Sequence, residues 1–335
     1  MRGTNVCIWR IENTLEHVLP LMIREYYRDI PELINCAIPD NEKKYIYKLK
    51  SILGQPFITK NKVISGLSIP YVEAIGALEM PSMPVNSIFL PDTGQPLPKH
   101  LWVNTFSNNL IFTKHADYVN CIVYGSKSLE GPLRSNIFGS RKKESDWGPI
   151  IFNNVPGFYF DTSFYYWILR SKGQYLVLND KSMLLQDVAG FRSNTERDAY
   201  SYTGQGSNID QQIPLKSLIS MDEKLVSLYI KIVYDRISYS FYLDYDGRLS
   251  VVFSECGEHG TETPTIIDNS DLLLTIYFDI IPFLKQLYNT AELNDWLRVN
   301  ELYRKAKSVE VITELMHKNG VSITDIQQAL EILIN

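Results

Sequence analysis

The clearest pattern of apolar and polar positions lies between Lys224 and Ser254, where apolar residues take every second position in three successive runs. Its apolar members are Val226, Leu228, Ile230, Ile232, Tyr239, Phe241, Leu243, Tyr245, Leu249, Val251 and Phe253. A period of two puts alternate side chains on opposite faces of a β-strand. Because Asp246-Gly247 supplies a two-residue turn before the last run, the pattern predicts an antiparallel meander with one apolar face.

Shorter β-branched and aromatic runs, separated by turn residues, predict further strands from Pro56 onward. They include "KVISG", "LWVNTF", "NLIFT" and "YVNCIVYG". The stretch "FYYWILRSKGQYLVLND" predicts a hairpin of two strands around Ser171, Lys172 and Gly173.

Helical periodicity predominates at both ends of the chain. "NEKKYIYKLKSILG" places apolar residues on one helical face and ends at Gly54, which predicts an N-terminal helix. After Pro264, "DLLLTIYFDIIPFLKQLYNT" is apolar on most sides and predicts a buried helix capped by Ser270. A more exposed helix follows, and then two helices joined at Asn319-Gly320, the second capped by Ser322 or Thr324.

The order of these elements predicts an α+β fold, with a large, mainly antiparallel β-rich body and helical segments at the N-terminus and C-terminus. We expect an N-terminal helical segment over 1–55, a β-rich body over 56–265 and a C-terminal helical tail over 266–335. The body is either one unit or two subdomains with a boundary near residue 150.

The composition restricts the kind of protein and its compartment, but it does not indicate an activity. The net charge of -5 provides no global basic field for nucleic acid or anionic membrane, although a local basic surface remains open. The four cysteines lie far apart and form no CxxC pair, which fits a reduced compartment. No apolar run predicts a signal peptide or a membrane span, so we expect a cytoplasmic protein without a membrane partner.

The densest basic run lies in "RSNIFGSRKKESDWGP". Arg134, Arg141, Lys142 and Lys143 provide cations there, and Trp147 provides a large aromatic ring. Cations beside an aromatic ring can hold a nucleic-acid backbone and stack on a base. The alternative is an exposed loop between strands, because acidic residues in the same run cancel part of the charge.

A second candidate is the glycine-containing stretch "YSYTGQGSNIDQQ". Gly204 and Gly206 permit backbone conformations that other residues avoid, so exposed amides there can approach a ligand closely. The stretch lacks the third glycine of a dinucleotide-binding fingerprint and the Gly-Lys-Ser/Thr ending of a phosphate loop. It is either an ordinary turn or a ligand contact.

This stretch also carries a family resemblance. "SMLLQDVAGFRSNTERDAYSYTGQGSNIDQ", followed by "YDGRLSVV", is similar to the SRA (YDG) domains that read modified cytosine in DNA, over about residues 182–253. The matching positions are Tyr202, Thr203, Gly204, Gly206, Asp210, Gln211, Tyr245, Asp246 and Gly247. The resemblance implies a β-rich pocket in which a flipped base stacks on an aromatic ring, with Asp210 as partner for the exocyclic amine.

In "SECGEHGTETP", Cys256 and His259 are the only candidate metal ligands that lie close together with neighbouring carboxylates. A zinc site needs three or four ligands, and no further histidine or cysteine lies at a recognisable spacing. We therefore expect no metal and no other cofactor, and interpret the stretch as a solvated polar loop.

Three function classes follow. The first is a non-catalytic binding protein that recognises nucleic acid, as a modified base or a single strand, through the glycine-containing stretch and the basic run. The second is a partner-binding subunit of a bacterial multiprotein system of the defence type, in which the C-terminal helices dock a partner or self-associate. The third is a metal-dependent hydrolase or nuclease, which the fewest candidate catalytic and metal-ligating residues support.

Overall fold

The computed structural model describes residues 3–52, 56–115, 117–141, 144–194, 201–260, 267–293 and 296–334. The strands are β1 Thr4–Ile11, β2 Glu25–Asp29, β3 Lys44–Lys50, β4 Thr59–Ile64, β5 Leu67–Pro81, β6 Val103–Lys114, β7 Val119–Gly125, β8 Ile150–Ile151, β9 Tyr175–Leu178, β10 Lys181–Asn194, β11 Ser201–Gln205, β12 Lys224–Tyr234, β13 Ile237–Asp244, β14 Leu249–Val251 and β15 Gly257–Glu258. The helices are α1 Leu15–Met22, α2 Glu130–Asn136, α3 Thr162–Arg170, α4 Ile213–Ser220, α5 Asn269–Thr275, α6 Ile281–Leu293, α7 Trp296–Asn319 and α8 Ile323–Ile334, with a π-helical turn, Ile276–Ile280, between α5 and α6.

All of these strands join one antiparallel sheet, whose main path runs β11-β10-β12-β13-β14-β1-β7-β6-β5-β3-β2. The first strand of the chain lies in the middle, where β1 pairs with β14 on one side and with β7 on the other. The large antiparallel sheet and the helices near both ends confirm the predicted α+β class. The N-terminal strand therefore connects two meanders, one formed by the first half of the chain and one by the second.

Helices cover opposite faces of the two meanders. One apolar core lies between the sheet and helices α3, α4, α5 and α6, and the other lies beneath α1 and α2. Strand β1 contributes to both, because Ile8 belongs to the first core and its neighbour Trp9 to the second. Successive side chains of a strand point to opposite faces, so the two helical layers lie on opposite sides of the sheet.

The predicted meander is confirmed as β12, β13 and β14, but its last turn differs. Leu243 pairs with Leu249, and the Asp244 N–H donates to the Arg248 carbonyl oxygen at 2.9 Å. The loop therefore has three residues, 245–247, rather than two. Gly247 ends it with a φ of +79°, in the left-handed region that favours glycine.

The predicted helix in "NEKKYIYKLKSILG" is wrong, because Lys44–Lys50 is strand β3. Tyr45, Tyr47 and Leu49 are buried at every second position, and β3 pairs with β2 and β5. The apolar residues of this segment fit both the helical period and the strand period of two, and pairing with a neighbouring strand on each side stabilises the strand. In the described part of 1–55, helix α1 is the only α-helix, so most of the predicted helical segment is strand or turn.

The first strand of the predicted hairpin around residues 171–173 is also wrong, because Thr162–Arg170 forms helix α3. The Asp161 carboxylate caps this helix by accepting the Phe164 N–H at 2.7 Å. All residues from Phe164 to Leu169 are buried. An apolar run without polar positions is compatible with a buried strand or a buried helix, and here the cap starts a helix.

The C-terminal helices lie where the sequence predicts them, but the cap of the first is wrong: Asp268, not Ser270, caps α5, and its carboxylate accepts the Ser270 N–H at 3.0 Å. Helices α5 and α6 are buried, and α7 ends before Gly320, which has a φ of +65°. Ser322 caps α8, with its hydroxyl accepting the Asp325 N–H at 3.2 Å. Among the described residues, no helix is both long and apolar enough to cross a membrane.

Candidate functional site

The basic run does not present its aromatic ring to a ligand. Trp147 is 1% exposed and stacks on Phe112, with ring centroids 6.1 Å apart. Its indole N–H donates to the Ile137 carbonyl oxygen at 2.9 Å. The prediction that Trp147 contacts nucleic acid does not fit this placement, because the ring is a core residue with no face left for a base.

Of the four cations in the same run, the structure describes Arg134 and Arg141, which differ in exposure. The Arg134 guanidinium lies 5.2 Å from the Trp9 ring centroid and 3.6 Å from the Glu130 carboxylate, and burial lowers its pKa. Arg141 is exposed, whereas Lys142 and Lys143 lie outside the described residues. Arg134 is therefore a packing residue.

The glycine-containing stretch forms the edge strand β11 and the turn after it. Tyr202, Thr203 and Gly204 lie in the strand, and Gly206 follows with a φ of +152°. A Cβ atom on Gly204 would lie 2.5 Å from the Phe191 ring. Gly204 thus allows close packing of the strand on the core.

Asp210 already has a cation. The Lys172 ammonium lies 2.5 Å from the Asp210 carboxylate and 3.0 Å from Asp187, and the Gln211 amide donates to Asp210 at 2.7 Å. Burial alone would raise the pKa of Asp210, but the hydrogen bonds from Lys172 and Gln211 outweigh it and lower that pKa. This carboxylate is therefore engaged within the protein.

The residues that the resemblance brings together are spread over the sheet. Tyr202 lies opposite Ser193 at one end of β10, whereas Asp210 shares the Lys172 ammonium with Asp187, which lies at the middle of β10. Six residues of strand separate Ser193 from Asp187, or roughly 20 Å. Tyr245 lies in the β13–β14 loop against Tyr159, 6.4 Å between ring centroids. Tyr202 and Asp210 therefore do not line one pocket.

The Tyr-Asp-Gly tripeptide has a local structural role. Asp246 accepts hydrogen bonds from the backbone and side chain of Arg248, whose guanidinium continues to Glu130 at 2.9 Å. A Cβ atom on Gly247 would lie 2.4 Å from the Phe158 carbonyl oxygen. The loop thereby ties the second meander to helix α2.

Cys256 and His259 each contact other groups of the protein. The Cys256 thiol is packed against Ser240, and burial raises its pKa to about 11. The His259 Nδ1 lies 3.1 Å from the Ser238 hydroxyl. Within the described ranges, no group of three or more histidine, cysteine, aspartate or glutamate side chains could hold a metal ion.

One serine–lysine contact can be compared with a catalytic pair. Asp279, in the π-helical turn, accepts hydrogen bonds from Ser65 at 2.7 Å, Lys181 at 2.7 Å and Tyr234 at 2.8 Å. The Lys181 ammonium donates to both Ser65 and Asp279, whereas a lysine that accepts a serine proton must first lose one of its own. This arrangement ties two hairpin tips to the helix rather than activating a nucleophile.

The more promising surface is the side of β10, β12 and β13 that faces away from helices α3 to α6, which we call the open face. Directly paired residues of an antiparallel sheet share a face, so the register defines its rows. One row contains Thr203, Arg192, Ser227 and Asp244, and the next contains Gln205, Gly190, Tyr229 and Tyr242. Thr203, one of the predicted ligand-binding residues, therefore lies on this face.

Two stacked tyrosines form the centre of the open face. The rings of Tyr229 and Tyr242 lie 4.7 Å apart at an interplanar angle of 22°. The Arg192 guanidinium lies 5.1 Å from the Tyr242 ring, and the Lys231 ammonium lies 5.6 Å from the Tyr229 ring. Gly190 makes room for the rings, because a Cβ atom there would lie 3.2 Å from each tyrosine. We call Arg192, Tyr242, Tyr229 and Lys231 the open stack.

The two ends of the open stack differ in access. Tyr229 is 3% exposed, whereas Tyr242 is partly exposed and Arg192 keeps 47% of its side chain in solvent. The accessible end of the open stack is therefore the one formed by Tyr242 and Arg192, and Tyr229 supports it from beneath.

Carboxylates set the charge around the open stack. Glu255 lies 2.7 Å from Lys231 and accepts the Tyr229 hydroxyl at 2.7 Å. Burial alone would raise the pKa of Glu255, but hydrogen bonds from Lys231 and Tyr229 outweigh it and lower that pKa. Burial raises the pKa of Asp244, which lies 3.9 Å from Arg192. Lys231 is thus paired closely, whereas Arg192 has a longer contact.

The prediction from sequence rests on the apolar members of the meander and therefore does not include the open stack. The alternate positions, among them Tyr229, Lys231 and Tyr242, carried the available signal. An aromatic residue on the polar side of an amphipathic strand indicates a recognition surface more strongly than one on the apolar side.

Comparison with known proteins adds no relative: no protein-family model matches the chain, and no curated protein matches it.

Proposed function

We propose that the protein is a non-catalytic binding protein that holds single-stranded nucleic acid on the open face. The observation that carries the proposal is the open stack, in which an arginine and a lysine flank two tyrosines on an antiparallel sheet. Aromatic rings and guanidinium planes on a sheet can stack against unpaired bases, and cations contact the backbone phosphates.

Arg192 is the group most available to a ligand. It occupies one end of the open stack, and almost half of its side chain is in solvent. A planar guanidinium can stack on a base or donate two hydrogen bonds to a phosphate. Lys231 is less available, because its ammonium is committed to Glu255.

Polar side chains beside Arg192 supply hydrogen-bonding groups. Thr203, which is directly opposite Arg192, and Gln205 are both exposed on the neighbouring edge strand. A hydroxyl and an amide can each donate to or accept from a base edge. Their position favours contacts to the bases of a single-stranded nucleic acid that crosses β11 and β10.

The charge distribution favours a weak, salt-sensitive complex with a single strand. The chain carries a net charge of -5, and Asp244 and Glu255 lie close to the two cations. Few phosphates can be neutralised on such a surface, so stacking must supply most of the affinity. A duplex hides its base faces and gains little from stacking.

Binding can be measured by the fluorescence anisotropy of a labelled single-stranded oligonucleotide at low ionic strength. Because Arg192→Ala removes both charge and stacking plane, we expect roughly tenfold weaker binding. Arg192→Lys keeps the charge alone and should recover only part of the affinity.

Arg141→Ala is the matched control, because it removes an exposed arginine from the basic run instead. Its affinity should equal that of the wild type. Absence of binding at low salt, or an equal loss in the Arg141 and Arg192 variants, would refute the proposal.

A further inference from the structure

A cavity of about 520 Å³ lies at one end of the open face, where residues of the β9–β10 turn and of the β12–β13 turn line it. Its walls also include Tyr175, Leu184 and Val233, which form one row: Leu184 is directly opposite Tyr175 on β9 and Val233 on β12. Val233 follows Lys231 by two residues on β12, so this row lies on the open face next to the open stack. We call this cavity the turn pocket.

The turn pocket offers an apolar surface and an aromatic ring. Leu184 and Val233 are partly buried, whereas Tyr175 is 72% exposed. Among the described residues, no other aromatic ring packs against Tyr175. An exposed aromatic ring at the edge of an apolar cavity can stack on a planar ligand.

Three charged side chains of the turn pocket remain unpaired within the part of the chain that the structure describes. Asp180 belongs to the β9–β10 turn, and Asp235 and Arg236 form the β12–β13 turn. None of the three makes an ion pair or a side-chain hydrogen bond with another described residue. The turn pocket therefore presents carboxylates and a guanidinium to a ligand that has both donors and acceptors.

Arg236 occupies a backbone conformation that favours glycine. Tyr234 pairs with Ile237, so Asp235 and Arg236 are the two residues of the turn, with φ of +48° and +61°. Two-residue hairpin turns with both residues in the left-handed region usually contain asparagine or aspartate followed by glycine. Asp235 fits the first position, whereas an arginine at the second position destabilises the turn. The turn itself gives no reason for this arginine, which indicates a role for its guanidinium.

Both turns are held in place from the other side of the sheet. Lys181 and Tyr234, each next to one of the turns, donate to the Asp279 carboxylate at 2.7 Å and 2.8 Å, and Asp279 is 8% exposed. In addition, the His259 N–H donates to the Arg236 carbonyl oxygen at 2.7 Å. Because the backbone of both turns is already fixed, a ligand of the turn pocket has a smaller ordering cost to overcome.

This combination of groups matches a guanine base. Guanine has two adjacent acceptors, O6 and N7, and on another edge two adjacent donor nitrogens, N1 and N2. A guanidinium can donate two parallel hydrogen bonds to the acceptors, and a carboxylate can accept two from the donors. Adenine lacks the O6 acceptor and has no two adjacent donor nitrogens, and the pyrimidines offer a smaller ring for stacking.

We propose that the turn pocket binds a guanine base of the single strand that the open face holds. The ring of the base stacks on Tyr175, and the Arg236 guanidinium donates to its O6 and N7. The carboxylate of Asp180 or Asp235 accepts hydrogen bonds from its N1 and N2.

This inference rests on the proposed function, because the same strand also contacts the open stack. Ser227 lies opposite Arg192, and Val233 lies at the turn pocket. Six residues of β12 separate Ser227 from Val233, or roughly 20 Å. A short single strand can span this distance and contact both places.

Fluorescence anisotropy at low ionic strength, with a labelled oligothymidylate of about twelve nucleotides, measures the base preference. One central thymine is replaced in turn by guanine, hypoxanthine or adenine. Guanine should tighten binding at least about tenfold relative to thymine, as one good bidentate contact allows. Hypoxanthine lacks the N2 amine and should lose a large part of that gain, and adenine, which has the size of guanine, should gain little.

Arg236→Gly tests the guanidinium without endangering the fold. Glycine suits the left-handed backbone at this position, so the thermal midpoint should not decrease. The guanine and thymine oligonucleotides should then bind this variant equally. Asn154→Gly is the matched control: Asn154 is exposed, has a φ of +50° and does not line the turn pocket, so the variant should keep the full guanine preference.

The carboxylates are tested by the double variant Asp180→Asn with Asp235→Asn, which keeps the side-chain size and removes both charges. Its guanine preference should be severalfold smaller than that of the wild type, because an amide oxygen accepts less strongly than a carboxylate.

Failure of this inference is distinguishable from failure of the proposed function. If the oligothymidylate binds but guanine adds no affinity, or if Arg236→Gly keeps the full guanine preference, the inference about the turn pocket is overturned alone. If no oligonucleotide binds at low salt, the proposed function is overturned and this inference with it.

Discussion

Two aromatic clusters in different halves of the sheet contain the same kinds of side chain and differ in access. The closed cluster consists of Trp9, Phe138, Trp147 and Phe152 with the Arg134 guanidinium packed against it. The open stack consists of Tyr229 and Tyr242 with Arg192 and Lys231. Three of the four closed rings, all but Phe152, are fully buried, whereas the open stack reaches solvent through Tyr242 and Arg192.

The difference follows from what covers each face. Helices α1 and α2 lie over the closed cluster and complete its apolar core. On the open face, the described apolar residues form only a small cluster around Ala189, Tyr229 and Val252. A cation beside an aromatic ring therefore indicates a binding surface only where no helical layer buries the ring, and that condition is set by the fold.

The largest expected effect is in the closed cluster. Trp147→Ala removes a fully buried ring and its hydrogen bond to Ile137, and should lower the free energy of unfolding by about 3–5 kcal/mol. Urea denaturation measures this loss. Trp147→Phe, which keeps much of the packing, should cost clearly less.

The oligonucleotide affinity of the folded Trp147 variant should equal that of the wild type. A stable Trp147→Ala protein with weakened binding would mean that the closed cluster is the recognition site.

The two clusters also show how far the sequence could be interpreted. The meander and the C-terminal helices were predictable, because period-two alternation and capping residues such as Ser322 act locally. The strand Lys44–Lys50 and the helix Thr162–Arg170 were not, because their apolar residues fit either period and the outcome depends on partners distant in sequence.

The candidate site was less predictable than the fold. Arg192, Tyr229 and Tyr242 lie on three strands, and only the register brings them together. The basic run was a candidate because Arg134 and Trp147 are close in sequence, but the burial of Trp147 follows from long-range packing. Thr203 lies on the open face, and the resemblance had named it only as one of several matching positions of a β-rich pocket.

An intermediate effect is expected where the open stack touches the backbone. Gly190→Ala adds a methyl group 3.2 Å from both tyrosines and 3.1 Å from the Gly204 carbonyl oxygen. We expect a loss of about 1–3 kcal/mol in the free energy of unfolding, typical of overpacking, together with weaker oligonucleotide binding. Gly131→Ala is a suitable control, because nothing lies within 4 Å of a Cβ atom there. Unchanged oligonucleotide binding in Gly190→Ala would indicate that the open stack is not the binding site.

A small effect is expected on acidification of the open face. The folded state lowers the pKa of Glu255, so this group stabilises the fold above its unfolded pKa of about 4.5, and the contribution is lost as pH falls through the lower folded pKa. Glu255→Gln should therefore flatten the acid side of the stability curve, by less than about 1 kcal/mol. Thermal unfolding between neutral and acid pH measures it, and an unchanged acid slope would contradict the assignment.

The central claim is that the open stack, and not the closed cluster, contacts nucleic acid. Photo-crosslinking of a single-stranded oligonucleotide carrying a photoreactive base, followed by peptide mapping, tests it most directly. The account predicts crosslinks in the peptides that contain Arg192, Thr203 and Tyr242, and their loss in Arg192→Ala. Crosslinks confined to the segment 134–149, or none on the open face at low salt, would contradict it.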